Sequence, residues 1–178
     1  TAILSAPVTR STAFIVRAVN DAPGITSGTF AGALNETSTL SVTGTFSFSD
    51  VDLLDRPTAQ FEFIGASGVQ SDEQSPFALT DGQLAVIAAG FSLPSSTSTA
   101  NQGIFSWQYA RLSSQLDFLG QDDELTALFR VSVDDGFGGS DAQIITLTIT
   151  GTNDHPIITS ETLTGQLSEL TTAASGNI

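Results

Sequence analysis

Apolar and polar residues alternate along five stretches of this 178-residue chain. In the stretch from Leu125 to Val133, every second residue is apolar. A period of two is typical of antiparallel strands that bury one face and expose the other to water. Because Gly- and Asp-rich turns separate the stretches, the pattern predicts an all-β chain folded as an antiparallel β-sandwich. The other alternating stretches are Leu40–Phe48, Ala59–Phe63, Phe105–Tyr109 and Ile145–Ile149.

One segment has the periodicity of a helix instead. Thr80 stands three residues before Gln83, which is a capping-box signature, and Gly90 is a typical stop signal. The sequence therefore predicts one short helix at about 80–90, packed against the sandwich. Its apolar face, at the spacing i, i+3, i+4, i+7, consists of Leu84, Ile87, Ala88 and Phe91.

Two polar stretches are predicted to be loops. Residues 92–103 are rich in Ser and Thr and suggest a mobile connection. Residues 134–141 are rich in Gly and lie between the last two predicted strands, so they are typical of a hairpin loop in which Gly supplies positive φ angles.

The single tryptophan lies on a predicted strand. Phe105, Trp107 and Tyr109 share one face of that strand. Aromatic residues at strand spacing are typical of a core, so we expect Trp107 to be buried. The alternative is an exposed aromatic face on which a sugar could stack.

The chain repeats itself at an offset of 133 residues, at which Asp21 returns as Asp154. The match extends beyond the Asn-Asp-x-Pro motif, since Gly32, Leu34 and Glu36 return as Gly165, Leu167 and Glu169. Such self-similarity indicates a tandem-repeat protein. We therefore predict the tail of a preceding repeat at 1–20, a complete repeat at 21–153 and the head of a following repeat at 154–178.

Charge and composition exclude several classes of function. Nineteen acidic residues against five basic ones give a net charge of −14, and every basic residue is Arg. No basic patch can form, so we expect no nucleic-acid partner. Cys is absent, which removes thiolate metal sites and thiol catalysis. No apolar run approaches the roughly 20 residues that cross a bilayer, so we expect no membrane insertion by this segment.

Three motifs resemble VCBS-type repeats, which occur in tandem in very large secreted bacterial proteins such as RTX-type adhesins. The motifs are Leu116–Leu119, Val131–Gly136 and the closing Leu147–Asp154. The chain departs from this family at His155, where Ala is usual. The positions of its acidic residues are also similar to those of cadherin-like domains, and this resemblance implies an Ig/cadherin-like sandwich.

Cadherin repeats carry acidic groups after the second strand, near the last hairpin and in the linker. Adjoining cadherin repeats share calcium ions through these groups, so the resemblance implies calcium as the cofactor here. Oxygen-rich clusters suit calcium, which takes six to eight oxygen ligands. The resemblance implies two sites, an upper one formed by the residues from Asn20 to Asp135 in the list below and a lower one formed by Asn153, Asp154 and Glu36. The implied ligands are Asn20, Asp21, Asp50, Asp52, Asp134, Asp135, Asn153, Asp154 and Glu36.

Each of these acids has an alternative role. Asp is favoured in turns because its side chain bonds its own backbone, and Glu36 could simply lie on a solvated face. Asp55 could add to the upper cluster or could pair with its neighbour Arg56. Zinc is disfavoured because the chain has no Cys and one His, and magnesium because it keeps its waters.

The sequence thus predicts a structural extender repeat of a giant adhesin, stiffened by calcium at the linkers between repeats. Its expected partners are the adjacent repeats of the same chain and calcium, and its expected location is secreted or on a bacterial cell surface. The ligand of the adhesin tip is left open. The alternative is a carbohydrate- or protein-binding β-sandwich module. No nucleophile elbow or catalytic triad stands out, so we expect no enzyme activity.

Overall fold

The computed structural model describes residues 13, 15–36, 39–72 and 75–155. Long alternating segments form long strands, and the capped segment forms the helix, as their patterns predict. A 3-10 turn at Ser113–Gln115 is also present among the described residues. The elements are β1 Gly24–Gly28, β2 Ala31–Asn35, β3 Thr39–Ser49, β4 Thr58–Val69, β5 Pro76–Phe77, α1 Asp81–Ala88, β6 Phe91–Ser92, β7 Gln102–Leu112, β8 Glu124–Asp134 and β9 Ser140–Thr150.

The strands form two sheets. One has the order β1-β3-β7-β6 and the other the order β2-β9-β8-β4-β5. All described pairings are antiparallel except that of β2 with β9, which is parallel. The chain changes sheets between β1 and β2, and Thr146 N–H donates to the Phe30 carbonyl at this crossing. The predicted all-β sandwich is confirmed.

The inward residues of both sheets form one core. Phe91 stacks on Phe129 from the opposite sheet with ring centroids 4.4 Å apart. Phe105, Trp107 and Tyr109 are all buried in this core, and the Trp107 indole N–H donates to the Thr29 carbonyl at 2.9 Å. The prediction that Trp107 is buried is confirmed, and these three rings are not a face on which a sugar can stack.

Helix α1 closes one open side of the sandwich. It joins β5, at the edge of one sheet, to β6, at the edge of the other. The capping box is formed, because Gln83 N–H donates to the Thr80 hydroxyl while the Gln83 carboxamide accepts from the Thr80 N–H. Ile87 is its buried anchor in the core. The predicted short helix is therefore confirmed.

The strand register defines two ends of the sandwich. At the end called upper here, β3 finishes at Ser49, and Asp134 of β8 pairs with Ser140 of β9. At the lower end, Asn35 of β2 pairs with Thr150 of β9. The two ends are separated by the length of these strands, so groups at one end do not contact groups at the other.

The described strands and helix all lie within the predicted complete repeat, 21–153. The division of the chain at 20 and 153 itself stays a prediction, since residues 156–178 and most of 1–14 lie outside the described residues. Across the described ranges, no helix is long and apolar enough to span a membrane.

Candidate metal sites at the two ends of the sandwich

Three buried carboxylates meet at the upper end. Asp50 follows β3 directly, Asp135 follows β8 directly, and Asp55 lies in the loop that leads into β4. Each contributes an oxygen, and these three oxygens lie within 4.8 Å of one another. No more than 7% of any of the three residues is exposed. We call Asp50, Asp55 and Asp135 the upper triad.

Backbone N–H groups hold the upper triad but leave two oxygens free. The Asp52 N–H donates to Asp50 Oδ1 at 2.9 Å, and the N–H groups of Phe137 and Gly139 donate to Asp135 Oδ1. Two other oxygens of the triad, Asp50 Oδ2 and Asp55 Oδ2, are buried and accept no hydrogen bond from any described residue. Buried polar atoms are normally satisfied, so these two point to a missing donor or cation.

The charges in the upper triad are not balanced by a described cation. Burial raises the pKa of Asp55 above its usual range, and repulsion from Asp50, Asp52 and Asp135 adds to this. The charge of Arg56 opposes this rise in pKa only weakly, and the Arg56 guanidinium donates to the carbonyls of Leu53 and Asp55. In the alternative pairing of Arg56 with Asp55, the hydrogen bond goes to the Asp55 backbone carbonyl, and Asp55 Oδ2 accepts no hydrogen bond from a described residue.

The pKa of Asp135 is lowered, in contrast to that of Asp55. The Asn20 side-chain amide donates to Asp135 Oδ2 at 2.9 Å and is the main reason that the pKa of Asp135 lies below its usual range. Backbone N–H groups of the hairpin loop lower the pKa further, against the effect of burial. The predicted Gly conformations are present in this loop, with φ of 82° at Gly136 and 105° at Gly138. These hydrogen bonds therefore favour the ionised form of Asp135.

The upper triad is tied to the N-terminal linker. Besides the Asn20 contact, the Asp21 N–H donates to Asp52 Oδ2 at 2.8 Å. Gly139 makes the approach possible, because a Cβ atom there would overlap both the Asp135 carboxylate and Ala22 of the linker. Two residues of the linker and two acids of the loops are thus joined at this end.

A second cluster lies at the lower end. Glu36, Asp117 and Asp154 offer oxygens within 4.8 Å of one another, and we call them the lower triad. Glu36 is 2% exposed; its Oε2 accepts from Thr152 N–H at 3.1 Å, while its buried Oε1 accepts no hydrogen bond from a described residue. Burial raises the pKa of Glu36, and Asp154 and Asp117 raise it further against the Thr152 hydrogen bond.

Four of the nine predicted ligands belong to the two triads. It places Asp50 and Asp135 in the upper triad and Glu36 and Asp154 in the lower triad. The other five lie beside the triads without belonging to them. Asn20 and Asp21 supply N–H donors, Asp52 accepts the Asp21 N–H, Asp134 Oδ1 accepts the Gly136 N–H, and Asn153 is exposed.

Two members of the triads were not in the predicted ligand set. Asp55 was visible in the sequence but had Arg56 as an obvious alternative partner. Asp117 lies between the buried residues Leu116 and Leu119, in a connection with no strand or helix periodicity. A spacing argument could not connect Asp117 to Glu36, because only the folded β7–β8 connection brings them together.

Three solved structures resemble this fold at low identity. PapD-like domain 7 of human CEP192, an ASH / PapD-like domain, has a TM-score of 0.49 at 8% identity over 85% of this chain and 99% of that chain. AggA, the major subunit of aggregative adherence fimbriae type I from Escherichia coli, has 0.37 at 13% identity over 75% and 98%. The Vibrio cholerae VesB protease has 0.35 at 16% identity over 70% and 31%. No family model and no curated protein matches the chain.

Proposed function

We propose that this chain is a calcium-stiffened extender repeat of a large bacterial adhesin that is secreted or displayed on the cell surface. The observation that supports it best is a triad of acids at each end, each with a buried carboxylate oxygen that no described residue satisfies. A buried cluster of acids without a cation is costly, because burial penalises charge and like charges repel. A bound cation would remove both penalties.

Calcium fits the chemistry of these clusters better than other metals. Both triads offer only carboxylate oxygens, and carbonyls and waters can complete a shell of six to eight oxygens. Sites of this kind in extracellular modules bind calcium in the range of about 10⁻⁴ to 10⁻³ M. Such weak sites fill only where calcium is abundant, which agrees with a role outside the cell.

The mechanical consequence concerns the linkers. Asn20 and Asp21 are hydrogen-bonded to acids at the upper end, so a cation that orders those acids also fixes the direction in which the preceding chain leaves. At the lower end, Asp154 already belongs to the linker that follows β9. Calcium at both ends would therefore convert a string of repeats into a stiff rod.

The alternative, a carbohydrate-binding module, has less support. Phe105, Trp107 and Tyr109 are buried, so the aromatic face that it would need is absent on this strand. The connection between β6 and β7, which was predicted to be mobile, is held by two backbone hydrogen bonds: Asp50 N–H donates to the Asn101 carbonyl at 2.7 Å, and Ala59 N–H donates to the Ser96 carbonyl at 2.8 Å.

Small-angle scattering of the parent protein, with its repeats in tandem, tests the proposal. We expect the maximum dimension to increase when calcium replaces chelator at constant ionic strength, and magnesium to have little effect. Isothermal titration of the 178-residue chain should show calcium binding. Identical scattering profiles in calcium and chelator, together with no heat of binding, would contradict the proposed function.

A further inference from the structure

Four large apolar side chains are exposed around one cavity beside Asp55 of the upper triad. Val19 comes from the linker, Leu53 and Leu54 from the loop before β4, and Phe137 from the hairpin loop, and they are 71–85% exposed. Together with Asp52 and Asp55 they line a cavity of about 280 Å³. We call these four side chains the apolar collar.

The collar is unusual because its members are contiguous. Single exposed apolar residues are normal on a protein surface, whereas several that line one cavity are typical of an interaction site. None of the four is needed by the core of the sandwich, since the core is formed by other residues. Their exposure therefore indicates that a partner covers them.

We infer that the lower end of the preceding repeat in the same chain packs against the collar; this inference rests on the proposed function. At the offset of 133 residues, Val16 corresponds to Ile149, and Arg17 to Thr150, the last residue of β9. Val16 is 91% exposed, whereas Ile149 is fully buried. The difference indicates that residues near Val16 belong to a body that precedes this repeat.

The length of the linker brings that body to the collar. Arg17 would end the last strand of the preceding repeat, and Asn20 is already bonded to the upper triad. Three residues span at most roughly 10 Å. The end of the preceding sandwich thus lies beside Val19, which is itself a member of the collar.

Charge disfavours a second copy of the chain as the occupant. The chain carries a net charge of −14, and the cavity inside the collar is lined by Asp52 and by Asp55 of the upper triad. Two collars placed face to face would bring two such triads together. In the tandem arrangement, by contrast, Asp21 stands at the position equivalent to Asp154 of the lower triad, so one short linker serves both facing ends.

Single-cysteine labelling tests this inference, since the chain has no Cys of its own. Leu54→Cys reports on the collar, and Ile64→Cys, 50% exposed near the middle of β4, is the matched control. Each variant is alkylated in saturating calcium, both in the 178-residue chain and in the parent protein with the preceding repeat intact. Mass spectrometry of the labelled peptide measures the rate at each site.

We expect alkylation of Leu54→Cys to be at least about tenfold slower in the parent protein than in the 178-residue chain, and that of Ile64→Cys to be unchanged. Equal rates for Leu54→Cys, measured where titration shows calcium bound, would overturn the collar and leave the proposed function standing. Protection that persists without any calcium binding would support the collar and contradict the calcium function. Protection that appears in the 178-residue chain and grows with its concentration would identify a second copy and overturn the inference.

Discussion

Replacement of Asp55 by Asn separates the repulsion in the upper triad from its ability to bind a cation. The substitution keeps the size of the side chain but removes one of three clustered carboxylates. The pKa of Asp55 is raised, which means that its ionised form destabilises the fold when no cation is present. We therefore expect Asp55→Asn to raise the melting temperature in chelator and to reduce the stabilisation that calcium provides.

The size of the calcium effect follows from the number of triads. The described residues contain two, and each is expected to take one ion. A ligand at 100 times its Kd adds about 2.7 kcal/mol to the free energy of unfolding, so two sites add about 5 kcal/mol. For a chain of this length, that corresponds to about 16 °C in melting temperature. Asp55→Asn should leave about 8 °C, the share of the lower triad.

Thermal unfolding by circular dichroism measures both effects, in about 10 mM calcium, which is 100 times a Kd of about 10⁻⁴ M, and in chelator at the same ionic strength. Glu62→Gln is the control, because it removes the same charge from an exposed position on β4, far from either end. We expect the control to keep the full calcium shift. If Asp55→Asn lowers the melting temperature in chelator, or keeps the whole calcium shift, the upper triad is not a cation site.

Three further predictions follow from the same structure. Glu36→Gln should remove the part of the calcium-induced rise in melting temperature that the lower triad provides. A rise equal to that of the unmodified chain would contradict a cation at the lower triad. In chelator, the free energy of unfolding should fall as pH rises above about 4. The reason is that the pKa values of Asp55 and Glu36 are raised in the folded chain, so folding favours their protonated forms. This stabilisation is complete at pH values below their ordinary pKa values and is lost as the two groups ionise. Asp135, with its lowered pKa, already contributes fully above pH 4 or so, and calcium should remove the fall; urea titrations at several pH values measure this. Gly44→Ala should cost about 1–3 kcal/mol, because its Cβ would overlap the buried Trp107 indole; denaturation monitored by indole fluorescence would show an unchanged midpoint if the packing were looser.

Local pattern was sufficient to predict the framework of the fold. The alternation at Leu125–Val133 appears as β8, and the capping box at Thr80 begins α1. Both signals are local, since a strand's buried face and a helix's first turn depend on residues a few positions apart. The burial of Trp107 also followed from its position on an alternating strand.

The composition of the two triads depended on tertiary structure. The sequence gave Asp50, Asp52, Asp134 and Asp135 equal weight as candidate ligands, whereas the folded chain brings the oxygens of Asp50 and Asp135 to within 4.8 Å of each other and of Asp55. Which carboxylate of a pair points into the cluster depends on the local turn. Asp117 could not be connected to Glu36 by any spacing, because they are far apart in the chain and meet only where the β7–β8 connection packs against the end of β2.

The sequence by itself therefore determined which segments become strands and helix, and which oxygen-rich loops could hold a cation. Only the tertiary structure decided which oxygens meet, because the distance between carboxylates depends on sheet register and on the path of loops that have no periodicity. The same reason applies to the apolar collar, whose members Val19, Leu53, Leu54 and Phe137 come from three separate loops. Periodic hydrophobicity reports on burial within one element, whereas a site is a set of distances between elements.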